Sequence, residues 1–297
     1  MLSVLPKPVC GILSLFLYFL NTVFWSIPIF IFAFLKLLIP VKSWRKLCTE
    51  ILYGMVNNWI GVNNYNHRVF SNIRWDVSGT DTLKPHEWYL VVANHQSWVD
   101  ILVLQKVFYR KIPMLKFFIK KELFWFPILG QAWWALEFPF IKRYSKSFLE
   151  KHPHLRGKDI EITRKACKKF KTIPVSIMNF VEGTRFTEEK RKKQQSPYVN
   201  LLRTKAGGIA HVLAAMGDRL HSILDVTIVY PQRQKGFWSF VCGNIQEIKI
   251  RVTSLPVKNE MIGDYAEDMV FRSKFQNWLN ALWEEKDSHI SKLLAHS

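Results

Sequence analysis

The sequence predicts an α/β domain built on a mixed, mostly parallel sheet flanked by helices, behind an N-terminal hydrophobic membrane-anchoring helix or helical hairpin. Three observations predict it. The chain is almost wholly apolar from Val9 to Ile39. Four later stretches read as buried strands, and helical patterns lie between several of them. At 297 residues there is room for one large domain, or one domain plus a membrane segment.

The apolar run is interrupted by Asn21, Thr22, Ser26, Pro28 and Lys36. About 20 apolar residues span a bilayer as a helix, and this run is longer. A secretory signal would show a shorter apolar region and a small-residue cleavage site, and neither is visible. Two arrangements fit: a single span kinked at Pro28, or a hairpin of two short helices broken near Asn21 and Thr22 that dips into one leaflet. Lys42, Arg45 and Lys46 follow the run and only Lys7 precedes it, so the downstream domain is expected in the cytoplasm.

Residues 1–43 are thus the expected anchor. Residues 44–79 follow as an amphipathic helix and linker, and 80–297 as the main domain. Trp44, Leu47, Ile51, Leu52, Met55 and Trp59 recur at helical spacing over 44–60, and the Asn-rich segment 57–66 reads as a linker. Trp88–Ala93, Val175–Val181, Val226–Tyr230 and Ile248–Val252 read as strands. Segments 98–107, 158–171 and 205–216 read as helices between them. Residues 266–295 close the chain as an amphipathic helix with Phe271, Phe275, Trp278, Leu282 and Trp283 on its packing face. The basic run Lys190–Lys193 reads as a solvated loop.

The formal charge of +19 calls for an anionic partner: nucleic acid, anionic lipid or a small anionic substrate. Basic residues sit beside large aromatics, as in Lys116-Phe117-Phe118-Ile119-Lys120-Lys121 ahead of Phe124-Trp125-Phe126. Such interleaving can stack bases or seat a protein at a lipid interface. The hydrophobic N-terminus favours lipid over nucleic acid. Cys10, Cys48, Cys167 and Cys242 are scattered without CxxC spacing, which argues against structural zinc and a disulfide scaffold.

The strongest chemical signal is Asn94-His95-Gln96-Ser97-Trp98-Val99-Asp100, directly after a buried strand. On one continuous helix His95 and Asp100 would lie about 140° apart. If His95 ends the strand and a helix starts near Ser97, the chain turns between them and the side chains can meet. A carboxylate on one imidazole nitrogen leaves the other as a base. Equally, Ser97 to Asp100 reads as a capping box, with Asp100 only capping a helix. Phe180-Val181-Glu182-Gly183-Thr184-Arg185 ends another strand and brings backbone N–H groups, a hydroxyl and a guanidinium together, as an anion site requires; a plain turn with a surface ion pair fits as well. Phe140-Ile141-Lys142-Arg143 and Val229-Tyr230-Pro231 are weaker. Strand ends in an α/β sheet converge on one crevice, and His95, Arg185 and Pro231 all fall at such ends.

In this order and spacing the four segments resemble the motif blocks of the glycerolipid acyltransferase family, which includes the 1-acylglycerol-3-phosphate acyltransferases. His95 and Asp100 match its His-x4-Asp motif; Phe140, Ile141 and Arg143 its second block; Phe180 and Glu182 to Arg185 its Glu-Gly-Thr-Arg block; Pro231 its fourth. The resemblance covers roughly residues 80–235, with the motif core at 88–235. Lys120–Gly130 also resembles the stretch between the first two blocks. The chain departs at Glu137, where the second block commonly begins with Gly, and carries Lys142 at the variable position before Arg143.

The resemblance implies acyl transfer from an acyl thioester (acyl-CoA or acyl carrier protein) to a lysophospholipid hydroxyl. His95 would act as base, with Asp100 orienting it. Arg143, Glu182, Gly183, Thr184 and Arg185 would form the substrate-phosphate site, with Glu182 fixing the loop. Asn94, Lys142, Lys205 and Pro231 are further candidates. Neither metal nor cofactor is implied, and the chain lacks G-x-S-x-G, so no acyl-enzyme is required. Membrane phospholipid and lysophospholipid are the expected partners, without nucleic acid. Enterobacterial inner-membrane members of the family resemble the whole chain, which implies a bacterial inner membrane with the catalytic domain facing the cytoplasm. Two rivals remain: a metal-dependent phosphoesterase, and a non-catalytic basic lipid-binding module on an anchor.

Overall fold

In the computed structural model, residues 5–141, 158–232 and 236–295 are described. Two long helices come first, α1 (Lys7–Leu38) and α2 (Lys42–Phe70). α1 runs unbroken through Asn21, Thr22 and Pro28, so the expected break near Asn21 is absent. The hairpin instead turns at 39–41 and pairs α1 with α2. The Asn-rich segment expected as a linker is helical, and the amides of Asn63 and Asn66 each make one hydrogen bond across the pair. Asn21 Nδ2 donates to Asn63 Oδ1 at 2.8 Å and to the Trp59 carbonyl at 3.0 Å. Asn66 Nδ2 donates to the Ser14 carbonyl at 3.0 Å, Trp59 Nε1 to Thr22 Oγ1 at 3.2 Å, and Trp44 Nε1 to the Leu35 carbonyl at 3.1 Å. Asn21 and Thr22, which interrupt the apolar run, therefore face α2. The opposite face, with Phe16, Phe19, Phe24, Ile27, Ile31 and Phe34, is exposed. An apolar surface of that extent marks an interaction face.

The sheet follows: β1 (Arg74–Ser78), β2 (Trp88–Ala93), β3 (Leu115–Phe117), β6 (Ser176–Phe180), β7 (Leu220–Val229) and β8 (Glu247–Pro256). A separate parallel pair joins β4 (Ile119–Lys120) to β5 (Phe140–Ile141). Across the six strands the order is β1-β8-β7-β2-β6-β3, and every pairing is parallel except β7 with β8. The sheet is mixed and mostly parallel, as expected. β2, β6 and β7 run side by side in one direction, so Ala93, Phe180 and Val229 end on the same edge.

Alternation along β2 divides the core into two layers. Leu90 and Val92 pack with Cys167 and Phe170 of α5 (Lys158–Phe170) and with Ile209 and Leu213 of α7 (Gly207–Met216). Phe275, Leu279 and Trp283 of α9 (Met269–Ala295) complete that face. Tyr89, Val91 and Ala93 pack with Val103 and Leu104 of α3 (Asp100–Val107) and with Phe240 of α8 (Phe237–Val241). α6 (Glu188–Lys193) is a short helix where a solvated loop was expected, and α4 (Leu129–Ala135) packs on α1.

Four short strands, β1, β3, β4 and β5, and the first half of β7 escaped the sequence pattern. β1 and β3 are short edges, and the first half of β7 carries His221, Ser222 and Asp225. The structure accounts for these polar residues. Ser222 and Ser254 share a hydroxyl hydrogen bond of 3.0 Å across β7 and β8. Asp225 pairs at 2.8 Å with Lys286 of α9, whose ammonium also donates to the Val226 carbonyl at 2.8 Å and Thr227 Oγ1 at 3.0 Å. This buried pair fastens the closing helix beneath the sheet. Removing one partner of such a pair strands the other charge. Lys286→Met should lower the unfolding free energy by about 3–5 kcal/mol in denaturant titrations, and adding Asp225→Leu should restore much of it.

Candidate active site

At the end of β2 the chain is pinned before it turns. Asn94 is fully buried, and its amide makes a two-point contact with Ile228 on β7. Nδ2 donates to the carbonyl at 2.9 Å, while Oδ1 accepts from the N–H at 2.8 Å. Asn94 is therefore a splice between strand ends. His95 comes next, followed by a tight turn into α3.

His95 Nδ1 lies 2.8 Å from Asp100 Oδ2. The same oxygen accepts from the Gln96 N–H at 2.6 Å and the Ser97 N–H at 2.8 Å, and Oδ1 accepts from the Tyr230 hydroxyl at 2.6 Å. Both readings left open by the sequence are realised in one carboxylate: Asp100 reaches back to the Ser97 amide, as in a capping box, and also holds the imidazole. A carboxylate accepting from its surroundings assigns the hydrogen to Nδ1 of His95 and leaves Nε2 with a lone pair. The ring plane is set by Phe180, stacked at 3.9 Å between centroids and 12° between planes. Only 15% of the His95 side chain is exposed, whereas Asp100 is fully buried. Burial and the neighbouring Asp100 push the Tyr230 phenol well above its ordinary range, so it stays a donor.

Glu182 braces this unit from beneath. Oε1 accepts from the His95 N–H at 2.9 Å and Oε2 from the Leu202 N–H at 3.0 Å. With both oxygens so engaged and no exposure, Glu182 stands as support for the loop and not as a contact for ligand phosphate. Burial pushes its carboxyl up to about 8 against the opposing pull of those two amides. The His95 carbonyl accepts from the Phe186 N–H at 2.7 Å, so both backbone groups of His95 are held by the 182–186 segment.

That segment carries the anion-site candidates. Gly183 has φ +68, and a Cβ there would stand 3.0 Å from Lys205 Cδ and 3.1 Å from its Nζ. The left-handed backbone favours glycine, while the Lys205 side chain is flexible enough to yield to a Cβ. Lys190 Nζ donates to Thr184 Oγ1 at 2.9 Å and to the Arg185 carbonyl at 3.0 Å. The Arg185 guanidinium lies 4.1 Å from the centre of the Trp98 ring. Gly183, Thr184 and Arg185 thus share a loop beside His95, the Lys205 side chain lies against Gly183 from the segment before α7, and Pro231 follows β7 directly after Tyr230. Lys142 and Arg143 lie outside the described residues. Upstream of them, Glu137 has φ +59, a left-handed conformation that favours glycine, and its carboxylate pairs with Lys36 of α1 at 3.1 Å.

Sequence reasoning missed Tyr230 and Lys190. The phenol could have been found as a polar tip at a converging strand end. Lys190 gave no signal, since its role depends on α6 folding back over the loop. Chemically, the arrangement offers a buffered imidazole that can take a proton from a hydroxyl approaching Nε2, next to a cationic loop able to hold an anion. Among the described residues, no group of three or more His, Cys, Asp or Glu side chains is arranged around a metal position.

A family model described as Acyltransferase matches residues 74–231, more than half of the 297-residue chain. The chain is 24% identical to lysocardiolipin acyltransferase 1 of Gallus gallus, over 95% of its own length and 72% of the relative's. It is 24% identical to 1-acyl-sn-glycerol-3-phosphate acyltransferase 3 of Arabidopsis thaliana over 62% of the chain and 51% of the relative. With the human 1-acyl-sn-glycerol-3-phosphate acyltransferase alpha it shares 32% identity over 38% of the chain and 35% of the relative. Its fold is similar to the crystal structure of the 1-acyl-sn-glycerophosphate acyltransferase PlsC from Thermotoga maritima, with a TM-score of 0.50 and 18% identity over 95% of this chain and 98% of that one.

A carboxyl raised to about 8 from 4.5 keeps its proton in the folded chain after the unfolded chain has released it. Its contribution to stability therefore falls as pH climbs through that window. Thermal unfolding followed from about pH 5 to about pH 8 should show Glu182→Gln with a flatter decline than the wild type. At the low end Gln should cost about 1–3 kcal/mol, because its NH2 opposes a buried N–H.

Proposed function

The chain belongs to the Acyltransferase family, and we propose that it moves a fatty acyl group from an acyl thioester, acyl-CoA or acyl carrier protein, to the free hydroxyl of a lysophospholipid. With 1-acyl-sn-glycerol-3-phosphate as acceptor the product is phosphatidic acid; related lysophospholipids give the corresponding diacyl lipid. The observation that carries the reading is the imidazole of His95, tied through Nδ1 to a buried carboxylate, in a residue whose backbone N–H and carbonyl are both held by the cationic 182–186 segment.

The acceptor hydroxyl gives its proton to Nε2 as its oxygen attacks the thioester carbonyl carbon. Asp100 stabilises the imidazolium that forms. The tetrahedral intermediate collapses, the carbon–sulfur bond breaks, and the imidazolium returns the proton to the thiolate. Transfer is direct, within a ternary complex. Arg185, Thr184, the Gly183 backbone and Lys205 hold the acceptor phosphate, and Lys190 adds a further cation. Arg143 and Lys142 belong to the same proposed set.

We further propose that the protein sits in the cytoplasmic leaflet of a bacterial inner membrane. α2 accompanies α1 along its length and carries Lys46, Glu50, Asn57, Asn58 and Arg68. A spanning α1 would draw those groups into hydrocarbon, at several kcal/mol each. Lying in one leaflet, α1 buries its exposed phenylalanines while α2 keeps its polar side out. Exposed Trp125, Phe126 and Trp134 extend the apolar surface.

Purified protein in lipid micelles, given labelled acyl-CoA and a panel of lysophospholipids led by lysophosphatidic acid, should form diacyl product. Acyl carrier protein serves as the second donor. His95→Ala should reduce kcat roughly 100- to 10,000-fold; a variant as active as wild type would overturn His95 as the base, and no product from wild type with either donor would return the lead to the lipid-binding module. Arg185→Ala should raise the acceptor KM well above any change in the donor KM. Tyr230→Phe, which removes one donor from Asp100, should lower kcat about tenfold at unchanged acceptor KM.

A further inference from the structure

Trp98 lies between His95 and Asp100 in the turn that leads into α3. Its neighbours Ser97, Val99 and Asp100 are buried, yet Trp98 is 59% exposed. Core packing does not account for a large aromatic held so far into solvent. Among the described residues the ring's cationic partner is the guanidinium of Arg185, 4.1 Å from its centre. Among the described residues no carboxylate pairs with Arg185. Three arginines spend N–H groups on carboxylates, Arg251 on Asp76 at 2.7 Å, Arg74 on Glu247 at 2.7 Å and Arg191 on Glu188 at 2.9 Å, while Arg203 and Arg272 donate to backbone carbonyls.

A stacked guanidinium is restrained through its face, while its N–H fork at the edge stays available to a planar or tetrahedral oxyanion. Trp supplies the strongest such platform among the aromatic residues. Trp98 is also covalently part of the turn that presents His95. An arginine stacked on it is therefore fixed relative to Nε2, and not merely attached to its own loop. A lysophospholipid brings a phosphate and a hydroxyl at a set separation. A fixed separation between fork and base selects for that spacing.

We propose that Trp98 is a positioning residue that holds the Arg185 fork at a fixed distance from His95, and thereby sets the affinity of the site for phosphate-bearing acceptors. This rests on the reading of Arg185 as a ligand of the acceptor phosphate. Trp98 needs no contact with the reacting atoms, so the base strength of His95 and the handling of the donor are independent of it.

The test uses the full chain in mixed micelles, with Trp98→Leu, Trp98→Phe, Arg185→Ala and the Trp98→Leu/Arg185→Ala double variant. Acceptor KM, donor KM, kcat and the pH profile of kcat are measured with lysophosphatidic acid, alongside binding of each protein to vesicles of anionic phospholipid. Trp98→Leu should raise the acceptor KM about tenfold, with the donor KM, the pH profile and vesicle binding unchanged. Trp98→Phe should recover most of the loss. The double variant should be no worse than Arg185→Ala alone, because the two residues act as one unit. A fully additive double variant, a selective rise in the donor KM, a shifted pH profile, or weakened vesicle binding as the sole defect would overturn the proposal. An unchanged acceptor KM in Trp98→Leu together with a raised one in Arg185→Ala sinks the role of Trp98 alone. An unchanged acceptor KM in Arg185→Ala sinks the phosphate reading beneath it.

Discussion

The buried carboxylate of Asp100 is the interaction on which the site depends. It takes four donors, two from the backbone of the turn, one from His95 and one from Tyr230. A carboxylate out of water needs such partners, since an unpaired one would cost several kcal/mol or take up a proton. The demand runs in both directions. Asp100 requires the turn to fold around it, and the folded turn delivers the imidazole in one tautomer and one orientation. Strand β7 joins through the phenol of Tyr230 and the Asn94–Ile228 splice, and β6 joins through Phe180 and Glu182. Three parallel strand ends become one unit without any bond from one reactive group to another beyond His95–Asp100.

The central sheet was legible because its strands are buried on both faces and read as continuous apolar runs. Trp88–Ala93 is the plainest example, observed with the bounds read from the sequence. What the sequence hid was polarity answered from a distance. His221, Ser222 and Asp225 disguise half of β7, and only the positions of Glu87, Ser254 and Lys286 explain them. The asparagines of α2 look like loop formers because their amides compete with the backbone, unless another helix takes those amides up, as α1 does here. Both misreadings have one cause. Local propensity speaks for a residue alone, and these residues are paired with partners tens of positions away.

The site shows the same division. The pairing of His95 with Asp100 follows from spacing once a turn is granted, and Gly183 from the close backbone approach an anion site needs, to which the structure adds a left-handed φ. The contacts of Lys190 and Trp98 with the 184–185 loop depend on how a short helix and a turn lie across each other, which no spacing rule encodes. Glu137 is instructive in another way. Its backbone conformation suits glycine, and occupying it with a longer residue costs on the order of 1 kcal/mol. The side chain gained is the partner of Lys36 in α1.

That pairing has a counterpart at the other end of the same helix, where Lys7 Nζ donates to the Gly243 carbonyl at 2.6 Å. α1 is thus bolted to the sheet domain at both ends, and α2 continues from it into β1 after only a short connection. A helix fixed at two points so far apart has no pivot. The hairpin cannot act as a leash from which the domain swings. It is a chassis, and any tilt of the helices against a surface is carried undiminished to the edge of the sheet where His95 stands.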